Sequence, residues 1–195
     1  MEEQIVGSEL QDSGPSPLPK KVTLKGEYVT IAPLDPQRDS EDLWDVAGGD
    51  AHKALWTYLS EGPFLDRPAF DASLERKAQS TDPLYFALID IPSQRTLGHA
   101  SYLRITPAHR CIEVGAILYS ASLQRTAAAT EAMFLMARHA FEDLHYRRYE
   151  WKCDALNEPS RRAAARLGFT YEGIFRQHMI VKGRNRDTAG VAMLD

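Results

Sequence analysis

The sequence predicts a mixed α/β protein with a mostly antiparallel sheet of six to seven strands flanked by helices. Two observations predict it. Three strand-like runs, 84–91, 96–105 and 111–120, follow one another through short turns, which is typical of an antiparallel meander. The third run leads into a helical pattern and then into another strand-like run at 147–155. A strand–helix–strand order of this kind places its two strands parallel through a right-handed crossover.

The other elements are predicted from local patterns. A first strand is expected at 26–35 and three short helices at 40–49, 51–59 and 66–80, with Ser40 capping the first helix and Asp66 opening the third. After the meander, apolar residues spaced by three and four form one helical stripe from Ala129 to Leu144. A shorter helix at 159–169 and a terminal hairpin at 172–195 complete the chain.

Length and composition limit the classes of protein. The 195 residues, 44% of them apolar, suit one domain at 21–195 preceded by a flexible tail at 1–20. The formal net charge of −4 gives no argument for nucleic acid, and no run of residues resembles a membrane span or a signal peptide. Cys111 and Cys153 are expected to be reduced and buried, so we expect a cytoplasmic protein.

The long helix begins with an unusually small first turn. Gln124, Arg125 and Thr126 precede three alanines, Ala127 to Ala129. A helix start presents unpaired N–H groups and partial positive charge, so an anion can bind there if no bulky side chain blocks it. Arg125 adds a full charge, and Thr126 can cap the helix or bond a phosphate. Alternatively, the alanines only pack tightly under the sheet, and spacing alone does not decide between these two interpretations.

Two sequence blocks resemble a known family. Gln124-x-x-Ala127-x-Ala129 followed by "TEA" resembles the pyrophosphate loop of the GNAT superfamily of acetyl-CoA-dependent N-acetyltransferases. The stretch 147–173, with Asn157, Ser160, "LGF" and "EG", resembles the next block of that family, in the branch that contains ribosomal-protein N-terminal acetyltransferases. The resemblance covers roughly 22–195. Ala127 departs from the family's usual glycine, which an alanine can replace inside a first helical turn, where φ is negative.

The resemblance implies a GNAT fold with a splay between the fourth and fifth strands and acetyl-CoA as cofactor. The pantetheine arm would enter the splay along the exposed strand-four backbone, and the pyrophosphate would lie at the helix start. Arg161, Arg162 and Arg166 are candidates to face the phosphates. The predicted cofactor-binding residues are Gly115, Ala116, Ile117, Leu118, Gln124, Arg125, Thr126, Ala127, Ala128, Ala129, Thr130, Asn157, Ser160 and Arg162.

The resemblance also implies two catalytic residues. Glu113 on the fourth strand is the candidate base that takes the proton of the amine, the alternative being a strand glutamate paired with an arginine. Many relatives protonate the departing thiolate with a tyrosine, but Ala164 occupies that place here. The branch resembled here uses the serine of its Asn-x-x-Ser motif, so the resemblance implies Ser160 as the candidate acid, the alternative being a serine that only caps a helix. Asn157 is expected to hold the pantetheine amides or the loop itself.

The acceptor is predicted less sharply. Trp56, Tyr58 and Phe64 lie where the family's early helices wall the acceptor pocket, although they can equally be core residues. The acceptor would be a protein N-terminus or a small-molecule amine. A non-catalytic CoA-binding sensor is the alternative function. A nucleic-acid-binding module is disfavoured because interleaved aromatic residues are lacking. No histidine spacing suggests a metal site. Whether the protein forms a homodimer is left open.

Overall fold

The computed structural model describes residues 4–195 and contains, within them, one sheet of eight strands in the order β1-β2-β3-β4-β5-β6-β8-β7. Every neighbouring pair is antiparallel except β5 and β6, which are parallel as predicted. The strands are β1 Leu24–Lys25, β2 Val29–Pro33, β3 Leu84–Asp90, β4 Thr96–Thr106, β5 Cys111–Tyr119, β6 Arg148–Asp154, β7 Thr170–Val181 and β8 Arg184–Leu194.

The mixed, mostly antiparallel sheet is confirmed, but the predicted count of six to seven strands is wrong. The additional strand is β1, in which Leu24 pairs with Ile31 and Lys25 with Thr30. Two residues are too few to show the alternation of apolar and polar side chains on which a strand prediction depends. The predicted last strand is present as β8, which pairs with both β6 and β7.

The helices begin at recognisable caps. They are α1 Pro36–Ala47, α2 Arg67–Gln79, α3 Ala127–Arg138 and α4 Glu158–Arg166, with a 3₁₀ segment at Asp50–Trp56 and a π-helical turn at His139–Asp143 after α3. Asp66 caps α2 as predicted, because its carboxylate accepts from the Ala69 N–H at 3.0 Å. The predicted cap of α1 at Ser40 is wrong. Asp35 fills that role by accepting from the Gln37 N–H at 3.0 Å, with Pro36 at the first helical position.

Helices cover both faces of the sheet. Helices α3 and α4 pack on one face over a core that contains Ile31, Tyr102, Met136 and Tyr149, all fully buried. Helices α1 and α2 pack on the other face over a second core built around Trp56 and neighbouring apolar residues. We call these the α3–α4 face and the α1–α2 face. Each strand contributes alternate residues to each face.

The sheet opens between β5 and β6. Pairing runs from Cys111 and Arg148 to Val114 and Trp151, and no registered pair follows in the described chain, although both strands continue. A bulge on the other side of β5 accompanies the opening, because Ala116 has a φ of 47° and two residues of β5 oppose one of β4. The splay predicted between the fourth and fifth strands is therefore present between β5 and β6, since the additional strand β1 shifts the numbering by one. Beyond Val114, the backbone groups of β5 that point towards β6 lack ladder partners.

The segment before β1 is partly attached to the domain. Residues 4–23 form no helix or strand, and residues 1–3 of the predicted tail lie outside the described residues. However, Ser16 is buried, its hydroxyl donates to the His145 carbonyl at 2.9 Å, and its N–H donates to the Pro107 carbonyl at 3.1 Å. Tyr146 also donates its hydroxyl to the Pro17 carbonyl at 3.1 Å. Both cysteines are free thiols, as predicted, but only Cys153 is buried and Cys111 is half-buried.

Candidate active site

The first turn of α3 combines both interpretations of the alanines. Ala127 is exposed, whereas Ala128 and Ala129 are buried in the core of the α3–α4 face. Thr126 caps the helix, since its hydroxyl accepts from the Ala129 N–H at 3.1 Å. The N–H groups of Ala127 and Ala128 have no carbonyl partner within the helix. The two buried methyl groups therefore serve packing, and the exposed one leaves the helix start open to a ligand.

An open groove of about 600 Å³ lies at this helix start. Its lining residues are Tyr28, Arg125, Thr126, Ala127, Thr130, Glu131 and Phe134. Of these, Arg125 lies in the loop with a φ of 63°, a backbone conformation that non-glycine residues seldom adopt. The neighbouring Gln124 donates its side-chain amide to the Tyr119 carbonyl at 3.1 Å and so fixes the loop to the end of β5.

Glu131 fixes the wall of this groove. Its carboxylate accepts hydrogen bonds from the N–H groups of Glu27, Tyr28 and Val29 at 2.8, 2.7 and 3.0 Å. Burial acts to raise the pKa of Glu131, but these three N–H groups outweigh it and lower that pKa. A Cβ at Gly26 would lie 2.2 Å from the Glu131 carboxylate, so a side chain there would displace the carboxylate from these hydrogen bonds. Helix α3 and the turn before β2 are thereby held together.

The arginines of α4 are placed differently from one another. Arg166 donates to the Thr130 hydroxyl at 3.2 Å and so reaches the groove. Arg162, the predicted ligand, is exposed and pairs with Glu158, while Arg161 lies over the ring of Tyr171. Among the lining residues, Phe134 could have been noticed in the sequence, since it is apolar but lies outside the buried stripe of α3. It is 59% exposed and faces the groove.

The splay connects this groove region to the opposite face. Along β5, the Gly115 carbonyl accepts from the Ser101 hydroxyl at 3.0 Å, the Ile117 side chain packs against the core of the α3–α4 face, and Leu118 is buried in the core of the α1–α2 face. The side chains of Ile117 and Leu118 are thus used for packing. What the predicted stretch Gly115–Leu118 can offer a ligand is backbone.

Glu113 lies at the inner end of the splay and is 1% exposed. Arg104 binds both of its oxygens, with Nε 2.7 Å from Oε2 and Nη2 2.8 Å from Oε1. Lys152 approaches Oε2 at 3.0 Å and also pairs with Glu150. The hydrogen bond to Glu113 raises the pKa of Arg104, although burial opposes it. The arginine pairing that the sequence analysis left as an alternative is therefore present.

Ser160 and Asn157 occupy the start of α4. The Ser160 hydroxyl accepts from the Trp151 indole N–H at 3.0 Å, which leaves its own hydrogen free to be donated. Asn157 caps α4 by accepting from the Ser160 N–H at 3.2 Å. The cap of α4 is therefore Asn157 and not Ser160, the residue that the sequence analysis left as a possible cap.

The three predicted acceptor-pocket residues lie in different environments. Trp56 is 1% exposed in the core of the α1–α2 face, and Phe64 packs against it with ring centroids 5.0 Å apart. Tyr58 is exposed and donates to the Leu156 carbonyl at 3.2 Å, so it bridges to the loop before α4. Lys182, in the β7–β8 turn, donates to the Trp56 carbonyl at 2.6 Å. The 3₁₀ segment and the β7–β8 hairpin therefore meet over this face.

Residues 4–195 contain no group of three or more His, Cys, Asp or Glu side chains that could hold a metal ion. Over the same residues, no helix combines the length and the apolar character that a membrane crossing requires.

The family of the protein follows from comparison with known proteins. The family model for the acetyltransferase (GNAT) domain matches residues 29–170, and the chain therefore belongs to this family. A search of curated proteins gave no match.

Solved structures agree with this assignment. A GCN5-related N-acetyltransferase from Brucella melitensis is 44% identical, with a TM-score of 0.92 over 95% of this chain and 84% of the other. A probable GNAT-family acetyltransferase from Chromobacterium violaceum is 37% identical, with a TM-score of 0.88 over 99% of this chain and 97% of the other. The Microcin C7 self-immunity acetyltransferase MccE, solved with acetyl-CoA and AMP, shares only the fold at 19% identity, with a TM-score of 0.74 over 87% of this chain and 94% of the other.

Proposed function

We propose that this protein transfers the acetyl group of acetyl-CoA directly to an amine. The observation that carries the proposal is the splay between β5 and β6, with a helix start suited to an anion on one face and a buried carboxylate, Glu113, on the other. An elongated cofactor with a phosphate end and a reactive end fits such a path. MccE, which has the same fold, was crystallised with acetyl-CoA, which is compatible with this proposal.

The residues at the helix start fit the diphosphate of coenzyme A. The open N–H groups of Ala127 and Ala128, the helix dipole, Arg125 and Arg166 all favour an anion there. The unpaired backbone of β5 beyond Val114 would hydrogen-bond the pantetheine amides in the way a neighbouring strand would. When bound, acetyl-CoA supplies the acetyl group as a thioester.

Glu113 is the proposed proton acceptor for the amine. Lys152 contacts both Glu113 and Glu150, so it keeps one carboxylate partner if an incoming ammonium takes its place beside Glu113. Arg104 holds the carboxylate in a fixed orientation through two hydrogen bonds. The amine, once bound there, can transfer its proton to Glu113 directly or through one water molecule.

Ser160 is the proposed proton donor for the departing thiolate. The Trp151 indole donates to the Ser160 oxygen, and this orients the hydroxyl hydrogen away from Trp151. We expect Ser160→Ala to slow turnover about tenfold or more while acetyl-CoA affinity changes little. Stopped-flow thiol release and calorimetry measure the two quantities. Ser122→Ala, an exposed serine in the loop before α3, is the control.

Cofactor binding is tested first. Acetyl-CoA at about 100 times its dissociation constant should stabilise the protein by about 2.7 kcal/mol, which is visible as a rise in melting temperature. If neither acetyl-CoA nor CoA raises the melting temperature, the proposal is wrong.

The role of Glu113 is tested by a matched pair of variants. Glu113→Gln should lower kcat by about 100-fold or more and leave the acetyl-CoA-dependent melting shift intact, because the base is lost but the cofactor contacts are not. Glu150→Gln, which changes the neighbouring carboxylate that contacts the same lysine, should have a much smaller effect on kcat. Equal losses in the two variants would remove Glu113 from the base role.

One observation favours a second candidate, a CoA-binding module without turnover. Arg104 and Lys152 already occupy both oxygens of Glu113. If acetyl-CoA stabilises the protein but no amine and no N-terminal peptide releases its thiol, this second function replaces the first.

A further inference from the structure

Arg186 differs from the other charged side chains of the α1–α2 face near the splay. Arg104 pairs with Glu113, Lys152 with Glu113 and Glu150, and Arg148 with Glu150 and Glu172. Arg186 takes no part in these pairs. Its Nε is buried and has no hydrogen-bond partner in the part of the chain that the structure describes. Burial lowers the pKa of Arg186, with the charges of Asp154 and Glu113 near enough to oppose that effect.

Thr188 lies two residues further along the same strand. Arg186, Thr188 and Gly190 alternate onto one face of β8, and Gly190 is directly opposite Lys152 on β6, so all three lie on the face that carries Glu113. Thr188 is 0% exposed, and its hydroxyl oxygen likewise lacks a partner among residues 4–195. Two neighbouring polar groups of one strand are therefore buried without partners.

Such an arrangement is costly for the folded protein. A half-buried cation whose Nε has no partner and a buried hydroxyl without a hydrogen bond each disfavour folding. Buried polar groups in proteins are nearly always paired, with protein, with water or with a bound group, and we infer a bound group here because two such groups lie together beside Glu113. Because Arg186 is a cation and Thr188 can donate, the complementary group is an anion that accepts hydrogen bonds.

We propose that Arg186 and Thr188 bind a carboxylate of the acetyl acceptor, which is therefore a small amine that also bears a carboxylate, such as an amino acid. This rests on the proposed acetyl transfer. The planar guanidinium matches a carboxylate through two parallel hydrogen bonds. Glu113 on the same face receives the ammonium, so the two charges of the acceptor meet opposite charges of the protein.

A groove of the size of a small molecule borders the stripe. It has a volume of about 220 Å³ and is lined by Gly190 of the stripe together with Gly173 and Phe175, whereas Arg186 and Thr188 are not among its lining residues. A Cβ at Gly190 would lie 3.1 Å from the Phe175 ring, so a larger residue at this position would press against the ring and narrow the groove. The contact between Lys182 and the Trp56 carbonyl closes one side of the face. A folded protein substrate would have to open that contact.

The test uses matched acceptors that differ in the carboxylate alone. For several side chains, the free amino acid, its carboxamide and the corresponding decarboxylated amine are compared at fixed acetyl-CoA by thiol release. The wild-type protein should prefer the free amino acid by about 10- to 100-fold in kcat/KM, as expected for a charged hydrogen-bonded pair. A phosphonate analogue of each amino acid distinguishes a carboxylate-shaped site from a general anion site.

The variant Arg186→Met should abolish this preference. The kcat/KM values for each free amino acid, its carboxamide and its decarboxylated amine should then differ by about threefold or less. Its melting shift with acetyl-CoA should equal that of the wild type. Because a half-buried cation with an unpartnered Nε is removed, the melting temperature without ligands should stay the same or rise. Arg184→Met, an exposed arginine of the same hairpin, is the control and should keep the preference.

A binding measurement covers the case in which no acceptor in the panel is turned over. With CoA present, N-acetylated amino acids should bind more tightly than their N-acetylated carboxamides by calorimetry, and Arg186→Met should remove the difference. The inference is overturned if the wild type shows no carboxylate preference in either assay, or if Arg186→Met weakens all acceptors equally or weakens acetyl-CoA. If acetyl-CoA itself does not bind, the proposed function fails instead.

Discussion

His99 illustrates how one residue can set the response of this protein to acid. It is 2% exposed on β4, and neither ring nitrogen has a hydrogen-bond partner within residues 4–195. Its ring packs edge-on against Tyr85 with centroids 5.5 Å apart. Burial, reinforced by the positive charge of Lys77, lowers the pKa of His99 to about 3. The histidine is therefore neutral in the folded protein.

The unfolded chain takes up a proton on this histidine near its ordinary pKa of about 6.5, whereas the folded chain does not. Acid therefore favours unfolding between the two pKa values. From about pH 8 to about pH 5, wild type should lose about 2 kcal/mol more stability than His99→Phe. Urea unfolding at both pH values measures this, with the exposed His109→Gln as control. A variant with the acid sensitivity of wild type would exclude His99 as its source.

At this scale the sequence identifies candidate residues but not their partners. The family resemblance pointed to Glu113, and the structure places this residue on β5 at the inner end of the splay. Arg104 and Lys152 could not be paired with it in advance, because they come from separate strands and meet only when those strands align. Arg186 carries no distinguishing signal in the sequence, since burial without a partner is a property of the folded chain.

Among the elements, α3 was the most predictable, because its stripe and its start are both local features. Its first turn allows a sharp test. Ala127→Leu should leave the melting temperature unchanged, since leucine is nearly as good a helix former and the position is exposed. The larger side chain should weaken acetyl-CoA binding by about tenfold or more, because it covers the open N–H groups.

Calorimetric titration with acetyl-CoA measures the effect of Ala127→Leu, and Ala69→Leu, an exposed alanine of α2, is the matched control. Undiminished affinity in Ala127→Leu would place the cofactor elsewhere.

Other elements were predicted less well. The cap of α1 was misplaced because Asp35 and Ser40 are both good capping residues, and only the observed hydrogen bond distinguishes them. The short β1 exists through its pairing with β2 rather than through its own pattern.

Considered as a whole, the molecule extends further towards its N-terminus than the boundary at residue 21 suggested. Deleting residues 1–11 should leave the melting temperature unchanged, whereas deleting residues 1–18 should lower it by several degrees. The longer deletion removes the hydrogen bonds of Ser16 with His145 and Pro107 and that of Pro17 with Tyr146. Differential scanning calorimetry distinguishes the two. Equal melting temperatures would show that these contacts do not stabilise the domain.

The antiparallel meander and the parallel pair β5–β6 were predicted correctly, because period changes and turn residues mark the strands and a strand–helix–strand unit implies a right-handed crossover, whereas β1 and the position of β8 between β6 and β7 were not predicted. Which residues from distant strands face each other was not predictable. That depends on registers and on bulges such as the one at Ala116, which shift every later side chain along the sheet.

The two sides of the opened sheet are built by different parts of the chain. In the proposed reaction, the start of α3 and the loop before it, which are consecutive in sequence, would bind the donor, while the β7–β8 hairpin and the 3₁₀ segment, joined by Lys182, would border the acceptor. Substitutions in the hairpin would then alter which compound is modified without weakening the binding of the donor. Such a division lets one scaffold acquire new recipients by small, independent steps.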